Sequence, residues 1–128
     1  MDDTQWKKAR KANTRALRRL IESKAIIVNI DTGTVTWPSG KPVYARKNET
    51  GYIRFKITRK GCRWFFIHKA VYIAAKLPYR HDRAIDHRDD DQDHNYISNL
   101  QLLTYAENNA KAHRKMEMEM EMEMEAAF

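Results

Sequence analysis

Cysteine is almost missing from this 128-residue chain: Cys62 stands alone, which excludes an internal disulfide and any zinc site built from cysteines. Long apolar runs are missing too. No stretch approaches the ~20 residues that a membrane-crossing helix needs, and the amino terminus is polar and charged, without a signal-peptide core. The chain is therefore expected to be soluble, unexported and held in a reducing cytoplasm, with no membrane partner. Acidic residues are scarce in one region only. Residues 1–80 hold 5 Asp/Glu against 19 Lys/Arg, residues 81–115 hold 7 against 5, and residues 116–128 add five Glu. The net charge of +7 thus hides a strongly cationic first part. Such a concentration of charge attracts phosphate backbone through counterion release, so nucleic acid is the expected partner. The alternative is a generally solubilising surface. The length suits one small domain that buries a core without covalent staples.

Residues 4–22 lack Gly and Pro and are rich in Ala, Lys, Arg and Leu, which predicts a helix. Its apolar stripe is narrow, and Lys7, Lys8, Lys11, Arg15 and Arg18 stand beside it. Residues 1–24 therefore read as a basic helical arm that docks weakly, orders on DNA and adds affinity with little sequence information. From Ala25 the pattern turns to β, with AIIVNI and TVTW flanking a DTG turn as a hairpin. A loop is expected at residues 45–51. In YIRFKIT, Ile53, Phe55 and Ile57 face inward, while Tyr52, Arg54, Lys56 and Thr58 face outward. Arg59, Lys60 and Gly61 turn the chain into CRWFFI, with Arg63 expected to join the cationic outer face. That face suits a DNA groove, or is an ordinary exposed sheet surface. Residues 67–78 switch to a helical period closed by Pro78. His68, near its start, reads as a phosphate-contacting or structural histidine.

The densest chemistry lies between Asp86 and Asn108. Arg83–His87 and Gln101–Leu103 read as two extended runs joined by a polar loop. Thr104 and Glu107 then form a capping box that opens a helix carrying Asn108, Lys111, Ala112 and Lys115 on one side. A histidine with an ordinary pKa of ~6.5 suits the role of general base. A carboxylate and an amide oxygen suit a hard cation that keeps several waters. Adjacent strand residues point to opposite faces, so Asp86 and His87 are expected to cooperate only if the strand bends or ends between them.

Asp86-His87, Asn99-Leu100 and Glu107-Asn108 resemble the ββα-metal motif of HNH endonucleases, in particular the small phage and intron-associated homing enzymes. The DTGTVTW hairpin, GYIRFKI and the helix beginning at His68 extend the resemblance over residues 25–113. It implies an α+β fold: an amino-terminal basic helix, a small antiparallel sheet plus helix at 25–79, and a ββα unit at 82–115, together an endonuclease domain at 25–115. It implies a metal-dependent enzyme that nicks or cuts duplex DNA and leaves 5′-phosphate and 3′-hydroxyl ends. Asp86 and Asn108 are implied to hold Mg²⁺ or Mn²⁺, His87 to act as base, and Asn99 to pin the loop and the imidazole. Arg54, Lys56, Arg63, His68, Lys111 and the cations of the arm are the implied DNA contacts. The protein is expected to work as a monomer near the nucleoid of a bacterial host cell.

Three positions depart from that pattern. Arg88 stands where an aliphatic residue is common, Asp90-Asp91 replaces a common Gly-Asn, and His94 occupies a usual Asn position, where it contacts phosphate or supports the loop. Other readings of the same residues remain. Asp89, Asp91 and Asp93 match the first ligand positions of a calcium loop, but its sixth and twelfth positions hold His94 and Leu100. His81, His87, His94 and His113 match no standard zinc finger. A bland polar loop in a non-catalytic DNA-binding protein is the remaining alternative. Residues 116–128, mostly Met-Glu pairs, are expected to be a frayed helix or disordered, with carboxylates that compete with DNA for the basic half.

Overall fold

The computed structural model describes residues 2–58 and 61–127; the expected turn at Arg59 and Lys60 lies outside them. Helix α1 (Asp3–Glu22) opens on a capping box in which Asp2 accepts from the Gln5 amide and the Gln5 side chain accepts from that of Asp2. It ends where Lys24 turns left-handed at φ 59°. Strands β1 (Ile27–Asn29) and β2 (Thr34–Thr36) form the expected hairpin. Strands β3 (Ala45–Lys47), β4 (Ile53–Ile57) and β5 (Arg63–Phe66) form an antiparallel sheet in that order. Helix α2 (Ile67–Ala74) follows β5 directly. Strands β6 (Arg83–His87) and β7 (Leu100–Thr104) pair antiparallel, and helix α3 (Tyr105–Ala127) completes the unit.

One core joins these pieces. Phe55 and Phe65 stack across β4 and β5 with ring centroids 5.6 Å apart, and Leu17, Ile26 and Val71 are fully buried with them. Leu100 brings the β6–β7 unit into the same cluster. Among the described residues no helix is long and apolar enough to cross a membrane.

Four expectations need correction. The arm does not dock weakly: Leu17 and Thr14 of α1 are buried, and Ala16, Leu20 and Ile21 pack on the core. Small residues on the stripe let the helices approach closely, and burial of Leu17 alone is worth roughly 1.5–3 kcal/mol. Residues 45–47 are not loop; they cover the free edge of β4 as a short strand whose exposed Arg46 and Lys47 discourage further pairing. Arg63 does not join the outer face. It pairs with Ile57, so it leaves the sheet on the core side and borders a groove with Ala16 and Leu20 of α1. The charge of Arg63 suggests the outer face, whereas directly opposed residues of two strands must share a face. Finally, the Met-Glu stretch continues α3 rather than fraying, with Met116, Met118, Met120, Met122 and Met124 all exposed. Both residue types are good helix formers, and that outweighs the strand-like alternation.

Candidate active site

The β6–β7 pairing sets Asp86 opposite Gln101 and His87 opposite Leu100. The strand neither bends nor ends between Asp86 and His87. It runs through both, and the two side chains leave on opposite sides. Both residues still border one cavity, because His87 is the last residue of β6 and Lys111 of α3 reaches its carbonyl. A cavity of about 220 Å³ is lined by Tyr52, Asp86, His87 and Asp90 together with Asn108, Lys111, Ala112 and Lys115 of α3. The capping box anchors that helix: Thr104 Oγ1 accepts from the Glu107 amide and the Glu107 carboxylate accepts from the Thr104 amide, each at 3.0 Å. Asn108 follows one residue later and Lys111 one turn further, so helical spacing sends both into the cavity.

His87 is 4% exposed. Its Nε2 lies 2.8 Å from Asn95 Oδ1, and the Asn95 amide nitrogen in turn donates to the carbonyls of Gln92 and Asp93. An oxygen in that position only accepts, so Nε2 is the donor, and the neutral form of the ring has its lone pair on Nδ1. The ring is walled by Tyr52 and His68, with centroids at 6.1 and 5.4 Å. Burial, with His87 and Lys69 nearby, lowers the His68 pKa to about 3 and keeps that imidazole neutral. His68 therefore stands behind His87 in an aromatic wall with Tyr52 and Phe66, instead of among the cations of the sheet.

Asn99, in the 3-10 turn Ile97–Asn99, does not reach the imidazole. Its amide donates to Asp89 Oδ1 at 2.9 Å and to the His94 carbonyl at 2.8 Å, and its oxygen accepts from the Asp89 amide at 3.2 Å. It pins the loop, and the grip on the ring belongs to Asn95, a role that no spacing in the sequence signals. His94 also supports the loop: Nδ1 is 2.6 Å from Asp89 Oδ2. That bond pulls the Asp89 pKa down and pushes the His94 pKa up. Asp90 takes φ 62°, the left-handed conformation that the common glycine adopts without cost.

Lys111 lies in the cavity, not on an outer DNA-facing surface. Its Nζ is 2.7 Å from Asp86 Oδ2, 3.0 Å from Asp90 Oδ1, 2.9 Å from the His87 carbonyl and 3.3 Å from that of Arg88. Burial disfavours this ammonium, but the bonds to Asp86 and Asp90 outweigh it and raise the pKa. Gln101 Nε2 donates to Asp86 Oδ2 as well, at 2.8 Å. Among the described residues no three His, Cys, Asp or Glu side chains cluster closely enough to hold a metal ion. A hard cation would instead draw on the Asp86 carboxylate, the Asn108 amide oxygen and water. The Lys111 ammonium among four oxygens demonstrates that this corner suits positive charge.

The sheet beside the cavity carries a second cationic group. Arg54 and Lys56 of β4 leave the sheet on its outer face with Trp64, and Arg46 joins them from β3. Their cationic ends lie 4.5, 5.9 and 5.2 Å from the Trp64 ring centre. The sequence does not signal Arg46, because its segment reads as loop. Tyr52 connects this face to the cavity: it packs edge-on against Phe66 and lines the cavity wall. Lys7, Lys8, Lys11, Arg15 and Arg18 are exposed along α1.

No family model matches the sequence, and no curated protein matches it. Among solved structures the chain is similar to one described as "DNA binding and cleavage by the HNH homing endonuclease I-HmuI", at 27% identity and a TM-score of 0.62. The match covers 70% of this chain and 52% of that one, so it spans about half the length of the homing endonuclease.

Proposed function

This chain has an HNH endonuclease-type fold, and we propose that it is a divalent-metal-dependent DNA endonuclease of the homing type. On this reading it nicks or cuts duplex DNA and leaves 5′-phosphate and 3′-hydroxyl ends. The observation that carries the proposal is the convergence of Asp86, His87 and Asn108 on one cavity at the end of a β-β-α unit. The structural likeness supports a DNA-binding or DNA-cleaving role. The cationic face around Trp64, continuous with the cavity through Tyr52, provides a track for the duplex backbone.

In the proposed mechanism Asp86 and Asn108 would hold Mg²⁺ or Mn²⁺, whose charge, when bound, offsets that building on the phosphate and the leaving oxygen. His87 Nδ1 takes a proton from the water that attacks phosphorus, while the bond from phosphorus to O3′ breaks. Asn95 holds the imidazole in the required tautomer through Nε2. Asn99 keeps the loop closed around that pair. Tyr52 and His68 shield the ring from bulk water. The chain is proposed to act as a monomer near the nucleoid of a bacterial cell.

A second reading, a DNA-binding protein that has lost catalysis, is favoured by the ion pair that engages Asp86 with Lys111. Incubating supercoiled plasmid with Mg²⁺ or Mn²⁺ decides between the two. The enzyme reading expects nicked circles from the parent and a loss of about 100-fold or more in His87→Ala. Equal rates in both proteins, or no nicking by the parent with any divalent metal, would reject it.

A further inference from the structure

Lys69, in the first turn of α2, is only 8% exposed and forms no ion pair with a carboxylate among the described residues. Its ammonium has a long contact with Asn13 Oδ1, at 3.5 Å, and lies 5.3 Å from the centre of the Tyr79 ring. The neighbours continue the pattern. Tyr79 meets His81 edge-to-face at 5.2 Å, and His81 Nε2 is 3.1 Å from Thr14 Oγ1 on α1. Arg10 reaches Tyr105, whose hydroxyl donates to the His81 carbonyl. Arg10, Thr14 and Arg18 recur at intervals of four along α1, so the two arginines bracket the Thr14–His81 contact on one helix face.

Positive charge thus converges here, and among the described residues no carboxylate forms an ion pair with Lys69, Arg10 or Arg18. Burial lowers the Lys69 pKa to about 8, helped by Arg10 and Arg18. Burial also lowers that of His81, helped by Lys69, Lys11, Arg10 and Arg18. An ammonium taken out of water costs several kcal/mol unless something pairs with it. Apolar side chains would fill this position at no such cost, as they do at Ala70 and Val71 next along α2. A largely buried cation flanked by the exposed Arg10 and Arg18 of α1 is an anion seat.

We propose that Lys69, Arg10 and Arg18 together bind one backbone phosphate of duplex DNA beside His81, away from the cavity that holds Asp86 and His87. The proposal rests on the nuclease reading for the identity of the anion. His81 precedes the Arg83 end of β6 and the cavity lies at the His87 end. At ~3.3 Å per strand residue the two are ~10 Å or more apart, on the order of three base-pair steps. The seat would therefore grip a phosphate other than the one cut. It fixes where α1 lies on the duplex, which gives this docked helix a function beyond general attraction.

The test is duplex binding by the full chain in EDTA, where no cutting occurs, measured by fluorescence anisotropy over a range of salt concentrations. Lys69→Met keeps the volume and removes the charge. It should weaken binding about 10-fold near 0.1 M salt and reduce the slope of log affinity against log salt by about 0.9, the value for one lost phosphate contact. Arg18→Gln, an exposed change, should lower the slope similarly. Free Lys69→Met should melt at a higher temperature than the parent, because an uncompensated buried charge is gone. A purely structural lysine predicts the reverse, a lower melting temperature with an unchanged slope. Parental slopes in both variants would overturn the seat alone. Absence of salt-dependent duplex binding by the parent would overturn the seat together with the nuclease reading.

Discussion

Lys111 Nζ lies 2.7 Å from Asp86 Oδ2, so the carboxylate proposed as a metal ligand already faces a cation from its own chain. The same ammonium spans to Asp90 at 3.0 Å. The contact with Asp86 is shielded from water, which makes it stronger than a surface pair, whereas Asp90 is exposed. Replacing Lys111 with Met leaves two neighbouring carboxylates without a counter-charge. In EDTA the variant should lose about 2 kcal/mol of stability to urea. Added Mg²⁺ should restore more of that in the variant than it contributes to the parent, because the ion takes over the charge the lysine supplied. Equal Mg²⁺ effects in both proteins would mean that the ion does not share the seat of the ammonium.

Asn95 and Asn99 separate two roles that one asparagine was expected to combine. Asn95→Ala removes the partner of His87 Nε2 and should reduce plasmid nicking by about 10- to 100-fold, as loss of a positioning partner does elsewhere. Asn99→Ala breaks three hydrogen bonds that close the loop and should cost about 2–3 kcal/mol of stability. Comparing urea midpoints with nicking rates for both variants checks the separation. Similar stability losses in the two would contradict it.

Gly33 governs the site from outside it. At φ +71° it packs so closely on the loop that a Cβ there would lie 2.5 Å from the Asn95 carbonyl carbon and 2.7 Å from the Tyr96 nitrogen. Backbone cannot swing aside as a side chain can. Gly33→Ala should destabilise the fold by about 3 kcal/mol, combining the left-handed conformation with the overlap. It should also slow nicking, through displacement of Asn95. A variant with parental activity would show that the hairpin does not set the loop position.

The His94–Asp89 pair predicts a pH dependence with two limits. The raised pKa of His94, due first to its hydrogen bond with Asp89, means that its stabilising effect is complete below about 6.5 and is lost as pH rises through the higher folded-state value. The lowered pKa of Asp89, due first to His94, means that its effect is present above about 3.9 and is lost as pH falls through the lower folded-state value. Nuclear magnetic resonance titration should place His94 above the ordinary histidine value in the parent and close to it in Asp89→Asn. Identical titration curves would rule out the coupling.

Much of this architecture is readable from local chemistry. The Thr104–Glu107 box, the β1–β2 hairpin and the α3 face with Asn108, Lys111, Ala112 and Lys115 follow from spacing alone, because each depends on residues a few positions apart. What spacing cannot supply is register between distant segments. Arg63 was placed by its charge, and only its pairing with Ile57 shows which face it takes. Asn95 and Asn99 are chemically alike, and the fold of the intervening turn decides which one touches His87. Lys111 was legible as a neighbour of Asn108, but its electrostatic partner Asp90 comes from a loop whose conformation the sequence leaves open.

Asp90 accepts the left-handed turn at a conformational cost of about 1–2 kcal/mol that glycine would not incur. In exchange its carboxylate meets Lys111 across the cavity. Backbone strain at one position is thereby tied to side-chain charge at another, 21 residues further along. The two positions should behave as a substitution pair in relatives of this chain. Where glycine returns to the turn, the lysine loses one of its two carboxylate partners and becomes free to vary; where the lysine is replaced, aspartate at the turn retains the strain with no compensating contact.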